Sequence, residues 1–122
     1  MKKKIIVLED DPAIREVIEY ILTEAKLSVE SYERAESFWK AIHDANADLI
    51  LLDVMLPDGN GIDICNQLKS QETTSNIPVI IMSAHYNLIN DHPCSADDFI
   101  RKPFDIRDFV KRIQTYLAKV EG

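Results

Sequence analysis

Cysteine is scarce: Cys65 and Cys94 are the only two among 122 residues. Two cysteines so placed make neither a disulfide framework nor a metal-ligand spacing, and read as reduced thiols of a cytosolic protein. No apolar run approaches the length needed to cross a bilayer, so no membrane partner is expected. The start, Met1-Lys2-Lys3-Lys4-Ile5-Ile6-Val7-Leu8, is not a signal peptide, because acids end its apolar stretch at Glu9. Positive charge is also short. The formal net charge is −7, and Lys2-Lys3-Lys4, read as a solvated strand entry, is the only basic cluster. Direct nucleic-acid binding is therefore not expected, since backbone affinity needs clustered Lys and Arg. Glycine numbers only three, and no glycine-rich phosphate loop follows Ile5–Val7. Acids stand where backbone amides would have to cradle a nucleotide or flavin phosphate. Repeats, low-complexity tracts and linkers are missing too, so residues 1–122 read as one domain.

What is present is an alternation of short apolar runs and helical patterns. Ile5–Leu8, Leu49–Leu52, Val79–Met82 and Phe99–Ile100 read as buried parallel strands, with Leu49–Leu52 central; Ser28–Glu33 alternates as a weaker strand near a sheet edge. Asp11-Pro12 opens a helix whose apolar face carries Ile14, Val17, Ile18, Ile21 and Leu22. Ala35, Phe38, Trp39 and Ile42 mark a second helix, with Trp39 read as core-facing. Ile64, Cys65 and Leu68 mark a third, stopped by the polar run Ser70–Asn76. Asp105 and Asp108 resemble a capping pair before a last helix with Ile106, Phe109, Val110, Ile113, Leu117 and Val120 on one face. Between strands, Leu56-Pro57-Asp58-Gly59-Asn60-Gly61 is a turn signal, its glycines free to take positive φ. Repeated βα units predict an α/β fold, a parallel sheet with helices on both faces.

Ligands bind beyond the carboxyl ends of strands in such sheets. Glu9, Asp10, Asp53, Ser83 and Lys102 all follow apolar strands and so converge on one rim. Three carboxylates repel one another, and a hard cation such as Mg²⁺ would relieve that repulsion. A carboxylate after the central strand can attack phosphorus and form an acyl phosphate. Lys102 would supply a point charge to the phosphoryl oxygens and Ser83 a hydroxyl. This constellation predicts a divalent-cation and phosphoryl site.

Over nearly its full length the chain resembles the receiver domain of two-component response regulators. The resemblance is carried by Val7-Leu8-Glu9-Asp10-Asp11-Pro12, Leu52-Asp53-Val54-Met55-Leu56-Pro57-Asp58-Gly59-Asn60-Gly61, Met82-Ser83-Ala84-His85 and Ala96-Asp97-Asp98-Phe99-Ile100-Arg101-Lys102-Pro103-Phe104. It implies a flavodoxin-like three-layer sandwich around a five-stranded parallel sheet of order 2-1-3-4-5. It further implies Asp53 as phosphoacceptor, with Glu9, Asp10, Asp53 and the Met55 carbonyl holding Mg²⁺. Ser83 would be the switch hydroxyl, Phe99 the switch aromatic and Lys102 the phosphoryl-binding amine. The Lys102-Pro103 bond is similar to one that is cis in the family. The donor would be a sensor histidine kinase or histidine phosphotransfer protein, and the output a downstream protein contact or a phosphorylation-dependent homodimer. In this reading the domain is not a turnover enzyme but a cytoplasmic phosphoacceptor that assists its own phosphorylation and dephosphorylation.

Two departures from the family pattern stand out. The interval from Ser83 to Lys102 is a few residues short, and Tyr86–Cys94, with Pro93, predicts a short or irregular helix there. Ser95 stands where glycine is common in the family. His85 is read as shielding the site mouth, His43 and His92 as surface residues, and Asp97-Asp98 as a solvated loop pair. Two rival functions fit less well. A haloacid-dehalogenase-like phosphatase wants an acid two residues past the nucleophile, where this chain has Met55. A receiver-like module that is never phosphorylated would not need all of these side chains.

Overall fold

The computed structural model of the protein describes residues 2–84 and 95–121. His85, His92, Cys94 and the helix expected over 86–94 lie outside them. The elements run β1 (Lys4–Leu8), α1 (Pro12–Glu24), β2 (Ser28–Tyr32), α2 (Ala35–Ile42), β3 (Leu49–Asp53), β4 (Met55–Leu56), β5 (Gly59–Asn60), α3 (Gly61–Ser70), β6 (Val79–Ser83), β7 (Asp98–Arg101) and α4 (Ile106–Glu121).

The main sheet has the order β2-β1-β3-β6-β7, every pair parallel. With the small antiparallel ribbon β4–β5 set aside, this is the predicted order 2-1-3-4-5. Ile5–Leu8 of β1, Leu49–Leu52 of β3 and Val79–Met82 of β6 are all apolar because both faces of these strands are covered. Alternate residues enter opposite core layers. Ile6, Leu8, Ile50, Leu52 and Ile81 pack with Phe38, Cys65 and Leu68 of α2 and α3. Val7, Leu49, Leu51, Ile80 and Met82 pack with Ile18, Leu22, Phe109 and Ile113 of α1 and α4. Each fully buried aliphatic side chain here contributes about 1.5–3 kcal/mol relative to exposure. β2 is half-buried along its length, as an edge strand should be.

Helix starts follow the sequence closely at three places. Asp11 Oδ1 accepts from the amides of Ala13 (2.9 Å) and Ile14 (3.3 Å), with Pro12 in the first helical position. Asn60 accepts from Ile62 N at 2.7 Å, and Asp105 from Asp108 N at 3.0 Å. At α2 the N-cap position holds Arg34, whose side chain makes no capping bond. The acceptor comes instead from the ribbon turn: Asp58 takes the amides of Ala35 (2.8 Å) and Glu36 (3.0 Å), one on each oxygen. Those amides hold the Asp58 carboxyl below its ordinary range.

The structure corrects three expectations. Val17 and Ile106, predicted to face the core, are 50% and 55% exposed, because the apolar stripes of α1 and α4 are wider than the surface the sheet offers them. Asp97 is exposed in the loop as expected, but Asp98 is half-buried, and both are held by partners. Asp97 accepts from Val79 N (2.8 Å) and pairs with Lys69 (2.8 Å), while Asp98 opens β7 and pairs with Arg112 (3.1 Å). Neither Gly59 nor Gly61 takes positive φ; Gly61 is required instead by close approach, since a Cβ there would lie 2.1 Å from the Asp53 carbonyl oxygen. Trp39 faces the core as expected, half-buried against the α2 and α3 layer, edge-on to Phe38 and stacked beside exposed His43.

Candidate functional site

Register places the polar groups. β1 and β3 pair Leu8 with Leu52, so Glu9 and Asp53 follow side by side on adjacent strands. β3 and β6 pair Asp53 with Met82, and β6 and β7 pair Ser83 with Arg101, which brings Ser83 and then Lys102 to the same rim. The Lys102 amide donates to the Ser83 carbonyl at 2.8 Å, closing the sheet at this end. The Lys102-Pro103 bond is cis.

A cavity of about 290 Å³ opens here, lined by Glu9, Asp10, Asp53, Met55, Ser83 and Lys102 among others. One carboxylate oxygen from each of Glu9, Asp10 and Asp53 lies within 4.8 Å of the other two. An all-oxygen cluster with one exposed member suits a hard cation that keeps part of its water shell. Lys102 Nζ bridges the two inner acids, donating to Glu9 Oε1 and, at 3.2 Å, to Asp53 Oδ1. The other Glu9 oxygen accepts from Asp11 N at 3.1 Å.

Burial, then the Glu9 charge, push the Asp53 carboxyl up to about 7, with Lys102 pulling the other way. Burial alone would lower the Lys102 amine; the Glu9 hydrogen bond and the two carboxylate charges outweigh it and hold the amine above its ordinary range. The site thus concentrates negative charge that a single lysine only partly compensates.

The sequence-predicted residues divide into two groups. Glu9, Asp10, Asp53, Met55, Ser83 and Lys102 meet in the cavity. Phe99 does not line it: half-buried, it packs against the core layer of α2 and α3, two positions before Arg101, the register partner of Ser83. Sequence reasoning passed over Arg15, whose guanidinium donates to the carbonyls of Glu9 (2.9 Å) and Asp10 (3.4 Å) and so fixes the turn that presents both acids. An arginine one turn into α1 was the available signal. Asp58 and Gly61 were read only as turn residues.

A family model described as response regulator receiver domain matches residues 5–114. Similar curated proteins include the phosphate regulon transcriptional regulatory protein PhoB of Pseudomonas aeruginosa PAO1, 37% identical over 120 residues that cover 96% of this chain and 52% of that one. The chain spans about half the length of the curated relatives it matches. Those relatives are transcriptional regulators, so the expectation of no nucleic-acid partner gains no support from them. Net charge of this segment says nothing about the rest of such proteins. A solved receiver domain of a signal transduction histidine kinase from Syntrophus aciditrophicus superimposes with a TM-score of 0.89 at 29% identity, covering 97% of this chain and 92% of that one. The receiver domain of a sensor histidine kinase from P. aeruginosa PAO1, described with magnesium in its active-site cleft, shares the fold with a TM-score of 0.90 at 21% identity, covering 97% and 99%. No helix among the described residues is long and apolar enough to cross a membrane. By sequence, by topology and by the convergence of acids and lysine on one rim, the chain belongs to the receiver domains of two-component response regulators.

Proposed function

We propose that residues 1–122 form one receiver domain that accepts a phosphoryl group on Asp53 from a phosphohistidine-bearing kinase or phosphotransfer protein in the cytoplasm. The observation that carries this reading is the Glu9–Asp10–Asp53 cluster, with Lys102 bridging its two inner members. Glu9, Asp10, Asp53 and the Met55 carbonyl would hold Mg²⁺, consistent with the donor set and with the magnesium described in the similar kinase receiver. Bound there, the ion would supply positive charge to the carboxylates and to the phosphoryl oxygens.

With its carboxyl near 7, Asp53 is only about half ionised at neutral pH until more positive charge reaches the site. Once ionised, an Asp53 oxygen attacks phosphorus. The O–P bond forms, the N–P bond of phosphohistidine breaks, and the imidazole leaves with the electron pair, giving an acyl phosphate. Lys102, already 3.2 Å from Asp53, turns from carboxylate to phosphoryl oxygen, and the Ser83 hydroxyl donates to another. The new group adds about −1.5 to −2 charge and three acceptor oxygens, enough to bias a two-state arrangement of the β6 and β7 loops with Phe99 as its aromatic readout. A downstream protein contact or a homodimer would read the change.

Intact-mass spectrometry after incubation with acetyl phosphate tests this reading. The expected result is one Mg²⁺-dependent phosphoryl adduct on the wild type and none on Asp53→Ala. An adduct that persists in the variant would move the chemistry to another residue. Sustained turnover of a small phosphoester would favour a phosphatase instead.

A further inference from the structure

Resting on the metal site proposed above, we infer that Asp58 is a positioning residue for that site: its carboxylate clasps the N-terminus of α2 and thereby holds the β4–β5 ribbon, with Met55 at its base, beside the acidic cluster. The ribbon is only two pairs long, Met55 with Asn60 and Leu56 with Gly59. So short a ladder has little stability of its own. Its side chains anchor it weakly, because Met55 and residues 57–60 are exposed and only Leu56 packs partly against the core. Asn60 and Gly61 secure the end that enters α3, through Ile62 N and the Val54 carbonyl. At the tip, the side-chain tie is Asp58.

That tie reaches a rigid anchor. α2 is set in the core by Ala35, Phe38 and Ile42, and its own cap position holds Arg34, which supplies no acceptor. The ribbon also lies directly on the helix start, since a Cβ on Gly59 would stand 3.5 Å from that of Ala35. Asp58 therefore serves two elements at once. It satisfies two otherwise open amides of α2, and it fixes the tip of a ribbon whose first residue lines the cavity with Glu9, Asp10 and Asp53. Binding at one end of a connected element must then be felt at the other, and reciprocally.

Amide NMR during a MgCl₂ titration tests the inference without any phosphoryl chemistry. In the wild type, the amides of Val54 and Met55 should shift with Mg²⁺, and those of Ala35 and Glu36 should shift with the same midpoint. Asp58→Ala should weaken Mg²⁺ roughly tenfold, the scale seen when supporting partners of metal ligands are removed. Asp58→Asn, which keeps one acceptor oxygen, should recover most of that loss. Thr74→Ala removes a buried hydrogen bond to the Leu68 carbonyl at the far end of α3 and controls for general loosening; it should leave the Mg²⁺ midpoint unchanged. A wild-type midpoint in Asp58→Ala overturns the inference and leaves Asp58 a helix cap alone. Equal weakening in Thr74→Ala overturns it as well. A wild type that shows no Mg²⁺-dependent shift at Val54 and Met55 overturns the metal site itself, and the inference with it.

Discussion

Replacing Asp53 by asparagine should stabilise the metal-free protein, and the gain should depend on pH in a defined way. Burial and the Glu9 carboxylate lift Asp53 from 3.8 to about 7. A folded state that binds the proton more tightly than the unfolded chain loses stability as pH rises, here through the window from about 4 to about 7. At 1.36 kcal/mol per pH unit, the full penalty reaches about 4 kcal/mol by pH 8. Asparagine removes the charge and leaves only a neutral amide oxygen to accept from the Lys102 amine, so a net gain of about 2–4 kcal/mol is expected at pH 8. At pH 4, near the unfolded value, most of the difference should vanish. Urea denaturation of both proteins from pH 4 to pH 8 in EDTA measures this directly. Saturating Mg²⁺ should then reverse the order, because the ionised wild type gains a bound cation and the variant has lost a ligand. A gain that is constant across pH, or no gain at pH 8, would refute the electrostatic argument.

Glycine substitution offers a paired test. A Cβ on Gly61 would meet the Asp53 carbonyl oxygen at 2.1 Å, whereas one on Gly59 meets only ordinary contact at 3.5 Å. Gly61→Ala should cost about 3 kcal/mol in denaturant unfolding and slow acetyl phosphate labelling, while Gly59→Ala stays within about 0.5 kcal/mol of wild type. Asp97→Ala leaves the Val79 amide without its side-chain acceptor and removes the carboxylate from Lys69, whose side chain is 16% exposed. It should destabilise by about 2–3 kcal/mol at pH 7, again read by urea. Lys102→Ala removes the amine that competes with a cation for Glu9 and Asp53. Mg²⁺ should bind that variant roughly severalfold more tightly in the same NMR titration, with labelling of Asp53 slowed.

The parts of this molecule that were legible in the sequence are those governed by short-range patterns. Leu49–Leu52 reads as a strand covered on both faces, and Asp11-Pro12 as a helix start, because each pattern is complete within a few residues. The site followed from one topological rule applied to strand ends, which is why Glu9, Asp53, Ser83 and Lys102 could be grouped although up to 93 positions separate Glu9 from Lys102. What escaped were contacts that no local pattern encodes. The Asp58 clasp joins a turn to a helix 23 residues earlier, and the Asp97–Lys69 pair joins the loop before β7 to α3. Both look in sequence like solvated acids. The exposure of Val17 and Ile106 escaped for the opposite reason: helical periodicity says which residues share a stripe, not how wide a stripe the sheet can cover.

The hydrogen bond from the Lys102 amide to the Ser83 carbonyl has a kinetic consequence. It makes the last residue of β6 and the first residue past β7 a single link, so the backbone at Ala84 is coupled to that at Pro103. Two hinges joined in this way share one clock. Relaxation-dispersion measurements on the amides of Ala84 and Phe104 should therefore return a common exchange rate, whether the protein is unmodified or carries a phosphoryl group. Two separate rates would mean that the link opens before Ala84 and Pro103 move.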